Sequence, residues 1–291
     1  MKCRFCFLPI LMFFALIVLN VGEAFSQTRG YTTADSPAKL DSVTAISADP
    51  ARQSKIEALL DELRRSPEDP IILNNLAVAR AAAGQLDEAL DAAIRAVEAD
   101  GSSAAARVNL AAIHDRLGNT EQAHDQAAEA ARLDPENIRA RGFVCELEIV
   151  LPRPAEAADC YRKLNSDFPG QYDFQLKLGV ALVKARELPD ALDLLETMRT
   201  EHPDDSRVLN TLANVHYRMK DYEKSAEILK QAVELDPEDP RLRFNLGMAY
   251  LALKNRPAAL SQYNLIKRSS PELARKLYSS LFQRYILDVR K

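Results

Sequence analysis

The tetrapeptide PEDP occurs at Pro67–Pro70 and again at Pro237–Pro240. Five steps of 34 along the numbering separate the two copies, and every such step from Pro67 reaches a proline or a glycine. The residues reached are Gly101, Pro135, Pro169, Pro203, Pro237 and Pro271. Because both residue types interrupt helices, we interpret the spacing as a structural repeat with a period of 34 and a break at each joint.

Six units of this length follow one another from Pro70 without an insertion. They are 70–103, 104–137, 138–171, 172–205, 206–239 and 240–273. Counted from the first residue of each unit, position 7 is large and apolar, whereas positions 8 and 20 are small. The residues at position 8 are Ala77, Ala111, Cys145, Gly179, Ala213 and Gly247, and those at position 20 are Ala89, Ala123, Ala157, Ala191, Ser225 and Ala259. This pattern predicts two helices per unit that approach closely where positions 8 and 20 meet.

The connecting segments carry matching signals. Gly84 and Gly118 at position 15 are suited to the left-handed residue that ends a helix, and prolines such as Pro154 fall where a second helix begins. In PEDP, the first proline ends one helix, the aspartate caps the next and the last proline occupies its first turn. Each unit is therefore predicted to be a helical hairpin.

Composition agrees with an all-α chain and narrows the range of partners. The 291 residues include 47% apolar residues and only 9 glycines, which favours helix over sheet. The formal charge of −4 is distributed along the chain in both signs, so no region would hold a nucleic acid backbone. We expect no nucleic acid partner.

The ends of the chain differ from the repeats. Lys2 and Arg4 precede an uncharged apolar run, and small residues follow it, which predicts a secretory signal peptide over residues 1–26. The alternative is an uncleaved N-terminal anchor. Residues 27–50 read as a flexible tether, and residues 51–69 and 274–291 as capping helices before and after the repeats. The mature protein is expected to be exported, in the periplasm or outside the cell.

The units resemble tetratricopeptide repeats. The segments LNTLANVHYRMKDYEKSAEILKQAVELDPED (Leu209–Asp239) and FNLGMAYLALKNRPAALSQYNLIKRSSP (Phe244–Pro271) carry the resemblance most clearly. It implies a right-handed superhelix, an α-solenoid, in which the first helices line a concave groove that binds a peptide or a protein segment. Unit 138–171 departs from the pattern, because the sequence LPRPAEAADC replaces its glycine turn.

The same resemblance directs positions 2, 5, 9, 12 and 13 toward the groove. The ligand groove is then expected to include Asn210, Asn214, Tyr217, Arg218, Arg241, Phe244, Asn245 and Met248, and a second polar strip to include Asn74, Asn109, Arg116 and Arg139. Asparagine can hold the main chain of an extended peptide, and arginine can bind a carboxylate. The groove amides are expected to be exposed, so that their replacement by alanine would weaken binding without affecting unfolding.

A catalytic constellation is not found in the sequence. It has no HExxH or GxSxG motif and no glycine-rich phosphate loop. His114 and His216 occupy position 11, where packing outweighs metal binding as an explanation. We expect a non-catalytic protein with no metal, no cofactor and no small-molecule substrate.

Two cysteines remain after removal of the signal peptide. Cys145 takes the small-residue position of the first helix in unit 138–171, and Cys160 lies on the second helix. One interpretation is a pair of buried thiols. The other is a disulfide, because antiparallel helices bring these positions to similar heights and an exported protein meets an oxidising compartment.

The C-terminal helix has an apolar arc about half its circumference wide. Either the arc sinks against the last repeat, around Leu260, Tyr263 and Ile266, or its edge at Phe282 and Ile286 contacts a second copy of the chain or another partner. The sequence as a whole predicts an exported scaffold that binds another protein. The alternative is a structural subunit of a cell-envelope assembly, such as secretion or pilus machinery.

Overall fold

A computed structural model of the protein describes residues 50–288, with side chains up to Phe282. This part of the chain contains fourteen α-helices and no strand, which confirms the prediction of an all-α helical-repeat fold. The expected signal peptide over 1–26, nearly all of the expected tether and the side chain of Ile286 lie outside the described residues. Within residues 50–288, no helix combines the length and the apolar character needed to cross a membrane.

Two helices fall in each repeat unit, one helix precedes the first unit, and a last helix begins at Pro271. The helices are α1 (Pro50–Arg65), α2 (Pro70–Ala82), α3 (Leu86–Ala99), α4 (Ala104–Arg116), α5 (Thr120–Leu133), α6 (Ile138–Val150), α7 (Pro154–Asp167), α8 (Tyr172–Ala185), α9 (Leu188–Glu201), α10 (Ser206–Arg218), α11 (Tyr222–Leu235), α12 (Pro240–Ala252), α13 (Arg256–Ile266) and α14 (Pro271–Asp288). The first helices of the six hairpins are α2, α4, α6, α8, α10 and α12.

The PEDP joints have the predicted geometry. Asp69 Oδ1 accepts hydrogen bonds from the backbone N–H groups of Ile71 (2.9 Å) and Ile72 (3.1 Å). Asp239 Oδ1 accepts one from the N–H of Arg241 at 2.8 Å. In both joints the following proline is the first residue of the helix, where a missing N–H removes no hydrogen bond.

The hairpin turns use a left-handed residue, as predicted, but not always a glycine. Gly84 and Gly118 have φ values of 80° and 82°. The corresponding position in the last three hairpins is filled by Arg186, Lys220 and Lys254, with φ between 61° and 67°. A side chain in this conformation costs about 1 kcal/mol or more relative to glycine.

The helices form two compact units: an N-terminal unit that ends at Ala181 and a C-terminal unit that begins at Leu182. In the N-terminal unit, the small residues at positions 8 and 20 are fully buried, as the pattern predicts. They are Ala77, Ala89, Ala111, Ala123 and Ala157. Helix α1 buries Ile56, Leu59 and Leu63 in the same core as the first hairpin.

The C-terminal unit closes on helix α14. Leu277 and Leu281 are buried in a core with Ile266, and a Cβ atom at Gly247 would lie 2.7 Å from Leu277 Cδ2. The side chain of Phe282 is 43% exposed, with its ring centroid 4.3 Å from that of Tyr278. One side of α14 is therefore core, while an aromatic edge remains at the surface of this unit.

Candidate functional site

A pair of hydrogen-bonded asparagines joins neighbouring first helices in each unit. In the C-terminal unit, Asn245 Nδ2 donates to Asn210 Oδ1 at 2.8 Å. In the N-terminal unit, Asn109 Nδ2 donates to Asn74 Oδ1 at 2.9 Å. Both pairs link position 5 of one hairpin to position 6 of the next, so the two pairs are equivalent. The structure thus pairs Asn210 with Asn245 within the predicted ligand groove, and Asn74 with Asn109 within the second polar strip.

Three of the expected groove residues are buried, which corrects the sequence-based prediction. Asn214 is 6% exposed, Asn245 4% and Phe244 3%. Phe244 packs in the core with Leu277 rather than facing a groove, because α14 packs against α12. The expectation that these amides are exposed was wrong: Asn245 is hydrogen-bonded to the neighbouring first helix through Asn210, and Asn214 is buried beside Arg218.

The other predicted groove residues are partly accessible. Tyr217 packs its ring edge-on against Tyr222, with centroids 5.2 Å apart. Arg218 Nε donates to Asn214 Oδ1 at 3.3 Å, whereas Arg241 binds the carboxylate of Asp239 at 2.7 Å. The first-helix face of the C-terminal unit is therefore polar and half-exposed, and the side-chain amides of Asn214 and Asn245 lie buried beneath it.

The second predicted strip gives a different surface in the N-terminal unit. Arg116 Nη1 donates to the carbonyl of Ala81 at 2.5 Å, and Arg139 is exposed beside Asn109 in a shallow cleft. Two exposed apolar residues on α2 were not among the predicted residues: Ile71, which is 70% exposed, and Val78, which lies about two turns further along the helix. Both stand at groove positions of the repeat, and their apolar character was the signal that could have identified them.

Cys145 and Cys160 are joined in a disulfide in the structure. Their Sγ atoms are 2.04 Å apart and their Cα atoms 5.4 Å. The bond connects α6 and α7, the two helices of the hairpin whose turn departs from the repeat pattern. It lies within the N-terminal unit, where Cys145 is buried.

The histidines do not assemble a metal centre among residues 50–288. His124 Nε2 lies 2.7 Å from Glu148 Oε1, and His216 Nδ1 lies 3.3 Å from Asp221 Oδ2. No group of three or more His, Cys, Asp or Glu side chains in that range could hold a metal ion. The chemistry that the first-helix faces offer is hydrogen bonding and charge pairing.

The buried asparagine pair should contribute measurably to stability. We expect Asn245→Ala to lower the free energy of unfolding by about 1–3 kcal/mol, because it leaves the Asn210 carbonyl without its buried donor. The Asn210→Ala, Asn245→Ala double variant should cost less than the sum of the single changes. Urea denaturation followed by circular dichroism measures both effects.

Asn264, which is exposed in the same unit, is the matched control. Its replacement by alanine should change the free energy of unfolding by no more than about 0.5 kcal/mol. Additive costs in the double variant would contradict the pairing of Asn210 with Asn245.

Comparison with known proteins adds the family. A tetratricopeptide repeat family model matches residues 56–104, 74–138 and 210–274, and a second model with the same description matches residues 153–215. Among curated proteins, the uncharacterized protein y4yS of Sinorhizobium fredii is 31% identical over 91 residues, which cover 30% of this chain and 50% of that protein. The chain therefore matches half the length of this relative.

Several solved structures share the fold at low sequence identity. A tetratricopeptide repeat protein from Parabacteroides merdae has a TM-score of 0.68 at 18% identity, over 80% of this chain and 93% of that one. PilW, described as a type IV pilus biogenesis factor, has a TM-score of 0.61 at 18% identity, over 72% and 98%. YrrB, described as having an unusual peptide-binding site, has a TM-score of 0.55 at 20% identity, over 64% and 96%. Because the family models match well over half of the residues, the chain belongs to the tetratricopeptide repeat family.

Proposed function

We propose that this protein is an exported, non-catalytic scaffold that binds a peptide or protein segment on its first-helix faces. As a tetratricopeptide repeat chain, it is a scaffold for protein interaction. The segment is proposed to lie mainly on the face of the C-terminal unit formed by α10 and α12. Asn210, Tyr217, Arg218 and Met248 are partly accessible there.

The proposal rests on side-chain N–H groups of the asparagine pairs that donate no hydrogen bond within the described residues. Asn210 uses its Oδ1 atom to accept from Asn245, and within the described residues its Nδ2 group donates to no other atom. In the N-terminal unit, the Nδ2 group of Asn74 likewise donates to no other atom of the described residues. A fixed amide with unused N–H donors on a half-exposed helix face is suited to the carbonyl groups of an extended peptide.

Export is part of the proposal and draws on two observations. The N-terminal sequence has the charged, apolar and small-residue order of a signal peptide. The Cys145–Cys160 disulfide is of the kind that persists in oxidising compartments. Both support a periplasmic or secreted location over a reducing one.

A second candidate function is a structural subunit of a cell-envelope assembly. Tyr278 and Phe282 form an exposed aromatic edge on α14, and Leu265 is exposed on α13. This edge would bind a second copy of the chain, with Ile286 as a further contact, or another subunit. Stable complexes in light scattering at micromolar concentration would favour this candidate over a monomer that captures free peptides.

Selection from a phage-displayed library of random dodecapeptides tests the peptide-binding proposal. We expect the full chain to select a consensus peptide. The Asn210→Asp variant keeps the acceptor for Asn245 but loses the N–H donors, so it should bind that peptide about five-fold or more weakly. Asn264→Asp is the control and should bind like the wild type. Failure to select any peptide, or equal affinity for Asn210→Asp, would overturn the proposal.

A further inference from the structure

Charge is distributed unevenly along the chain, although its total is small. Residues 240–291 contain eleven Lys and Arg residues but only two acidic residues, Glu272 and Asp288, which gives this stretch a formal charge of +9. Because the whole chain has a formal charge of −4, the residues before Pro240 carry the excess of acid. The mixture of signs described for the whole chain therefore does not hold for the last hairpin and α14.

Exposed apolar side chains form one continuous patch across α13 and α14. The ring centroid of Tyr263 lies 5.4 Å from that of Tyr278, which in turn lies 4.3 Å from that of Phe282. Leu260 lies three residues before Tyr263, on the same face of α13. We call these four residues the end patch. Leu260, Tyr278 and Phe282 are each 43–46% exposed, so the C-terminal unit itself does not cover the patch.

Two exposed cations share the helix faces of the end patch. Lys267 follows Tyr263 by four residues at the end of α13, and its backbone is still helical. Arg275 precedes Tyr278 by three residues on α14. Because residues three or four apart lie on one face of a helix, each cation stands beside an aromatic residue of the patch. Arg268, next to Lys267, is exposed as well.

These cations are not neutralised within the described residues. Neither Lys267 nor Arg275 forms an ion pair with a described carboxylate. Glu272 is the one acidic residue among residues 240–282, and its Oε1 atom lies 3.5 Å from Lys276 Nζ. The end patch therefore lies next to a net positive charge.

The charge decides which kind of partner fits this surface. A symmetric dimer brings the same surface of two copies together, so the cations of one copy would face the like charges of the other. A nucleic acid duplex would neutralise the cations but would leave the apolar patch in water. A membrane with anionic headgroups satisfies both components: the rings enter the boundary between headgroups and acyl chains, while Lys and Arg reach the phosphates.

We infer that the end patch, together with Lys267, Arg268 and Arg275, docks on an anionic lipid surface. The docking surface is built by α13 and α14, whereas the proposed peptide-binding face is built by α10 and α12. The inference therefore goes beyond the proposed function and does not depend on it. Docking would hold the scaffold at a membrane while its first-helix faces bind a segment.

Vesicle co-sedimentation tests the inference. The protein used is residues 27–291, which keep every described helix and lack the N-terminal apolar run that would itself bind lipid. We expect it to bind phosphatidylcholine vesicles that contain about 30% phosphatidylglycerol about ten-fold or more tightly than pure phosphatidylcholine vesicles. Raising the salt from about 0.05 M to about 0.5 M should weaken this binding about five-fold or more, because the cations are exposed.

Two variants test the two components of the surface. The Lys267→Gln, Arg275→Gln double variant should weaken binding to the anionic vesicles about five-fold or more, because two cations near the headgroups are lost. Phe282→Ser should weaken it about three-fold or more, because less apolar area is buried in the membrane. All three side chains are exposed, so the variants should retain the helix content of the wild type in circular dichroism.

Each variant has a matched control in the same unit. The Lys220→Gln, Lys224→Gln double variant makes the same change in charge at the turn of hairpin 206–239. Leu265→Ser removes an apolar side chain that is 55% exposed on the opposite face of α13 from Tyr263. Both controls should bind the anionic vesicles like the wild type.

Several outcomes would overturn the inference. They are the absence of vesicle binding, equal binding to neutral and anionic vesicles, and wild-type binding by the Lys267→Gln, Arg275→Gln variant. Wild-type binding by Phe282→Ser would show attraction by charge alone and remove the end patch from the site. A dimer in light scattering that Phe282→Ser dissociates, without vesicle binding, would assign the patch to a second copy. None of these results affects peptide selection by the first-helix faces, so the proposed function is tested separately.

Discussion

Reduction of the Cys145–Cys160 disulfide should lower the free energy of unfolding by about 3 kcal/mol, the loss expected for a closed loop of about 15 residues. The bond connects the two helices of one hairpin across a sequence separation of 15. Opening it releases a constraint on the unfolded chain. Urea denaturation in the presence and absence of a phosphine reductant measures the difference.

The Cys145→Ala, Cys160→Ala double variant provides the control for this experiment. Alanine already occupies the position of Cys145 in the hairpins that contain Ala77, Ala111 and Ala213, so its packing is suited to that site. The double variant should resemble the reduced wild type and should not respond to the reductant. A wild-type midpoint that does not change on reduction would contradict the stabilising role of the disulfide.

Leu277→Ala should destabilise the C-terminal unit by about 2–5 kcal/mol, the usual cost of truncating a large, fully buried side chain. Leu277 is 0% exposed and packs against Gly247, where an added Cβ atom would lie only 2.7 Å from Leu277 Cδ2. The change therefore leaves a cavity between α14 and α12. Thermal and urea unfolding of the full chain measure the loss.

Ser279 is exposed on the same helix and is the matched control. Ser279→Ala should change the free energy of unfolding by no more than about 0.5 kcal/mol. A cost below about 1 kcal/mol for Leu277→Ala would contradict the docking of α14 on the last hairpin.

Local features of the fold could be predicted from the sequence because each depends on a few neighbouring residues. The aspartate caps at Asp69 and Asp239, the left-handed glycines at Gly84 and Gly118 and the close approach at the small positions all follow from backbone geometry. The strict period of the repeat then extended these features along the chain.

The accessibility of the groove residues could not be predicted in the same way. Whether Asn214, Asn245 and Phe244 are exposed depends on how closely the neighbouring first helix and α14 approach them, which is a property of packing between hairpins.

The two equivalent asparagine pairs also limit sliding between helices. A hydrogen bond of 2.8–2.9 Å between buried or half-buried amides fixes the axial offset of one first helix relative to the next. A slip by one residue would move the partners about 1.5 Å along the helix axis and strain or break the bond. At the corresponding positions, the hairpins between them carry apolar, small or charged residues, such as Val108 and Phe143. Hairpins 70–103 and 206–239 thus each present an asparagine carbonyl to the hairpin that follows, and the same amide contact sets the axial offset in both units.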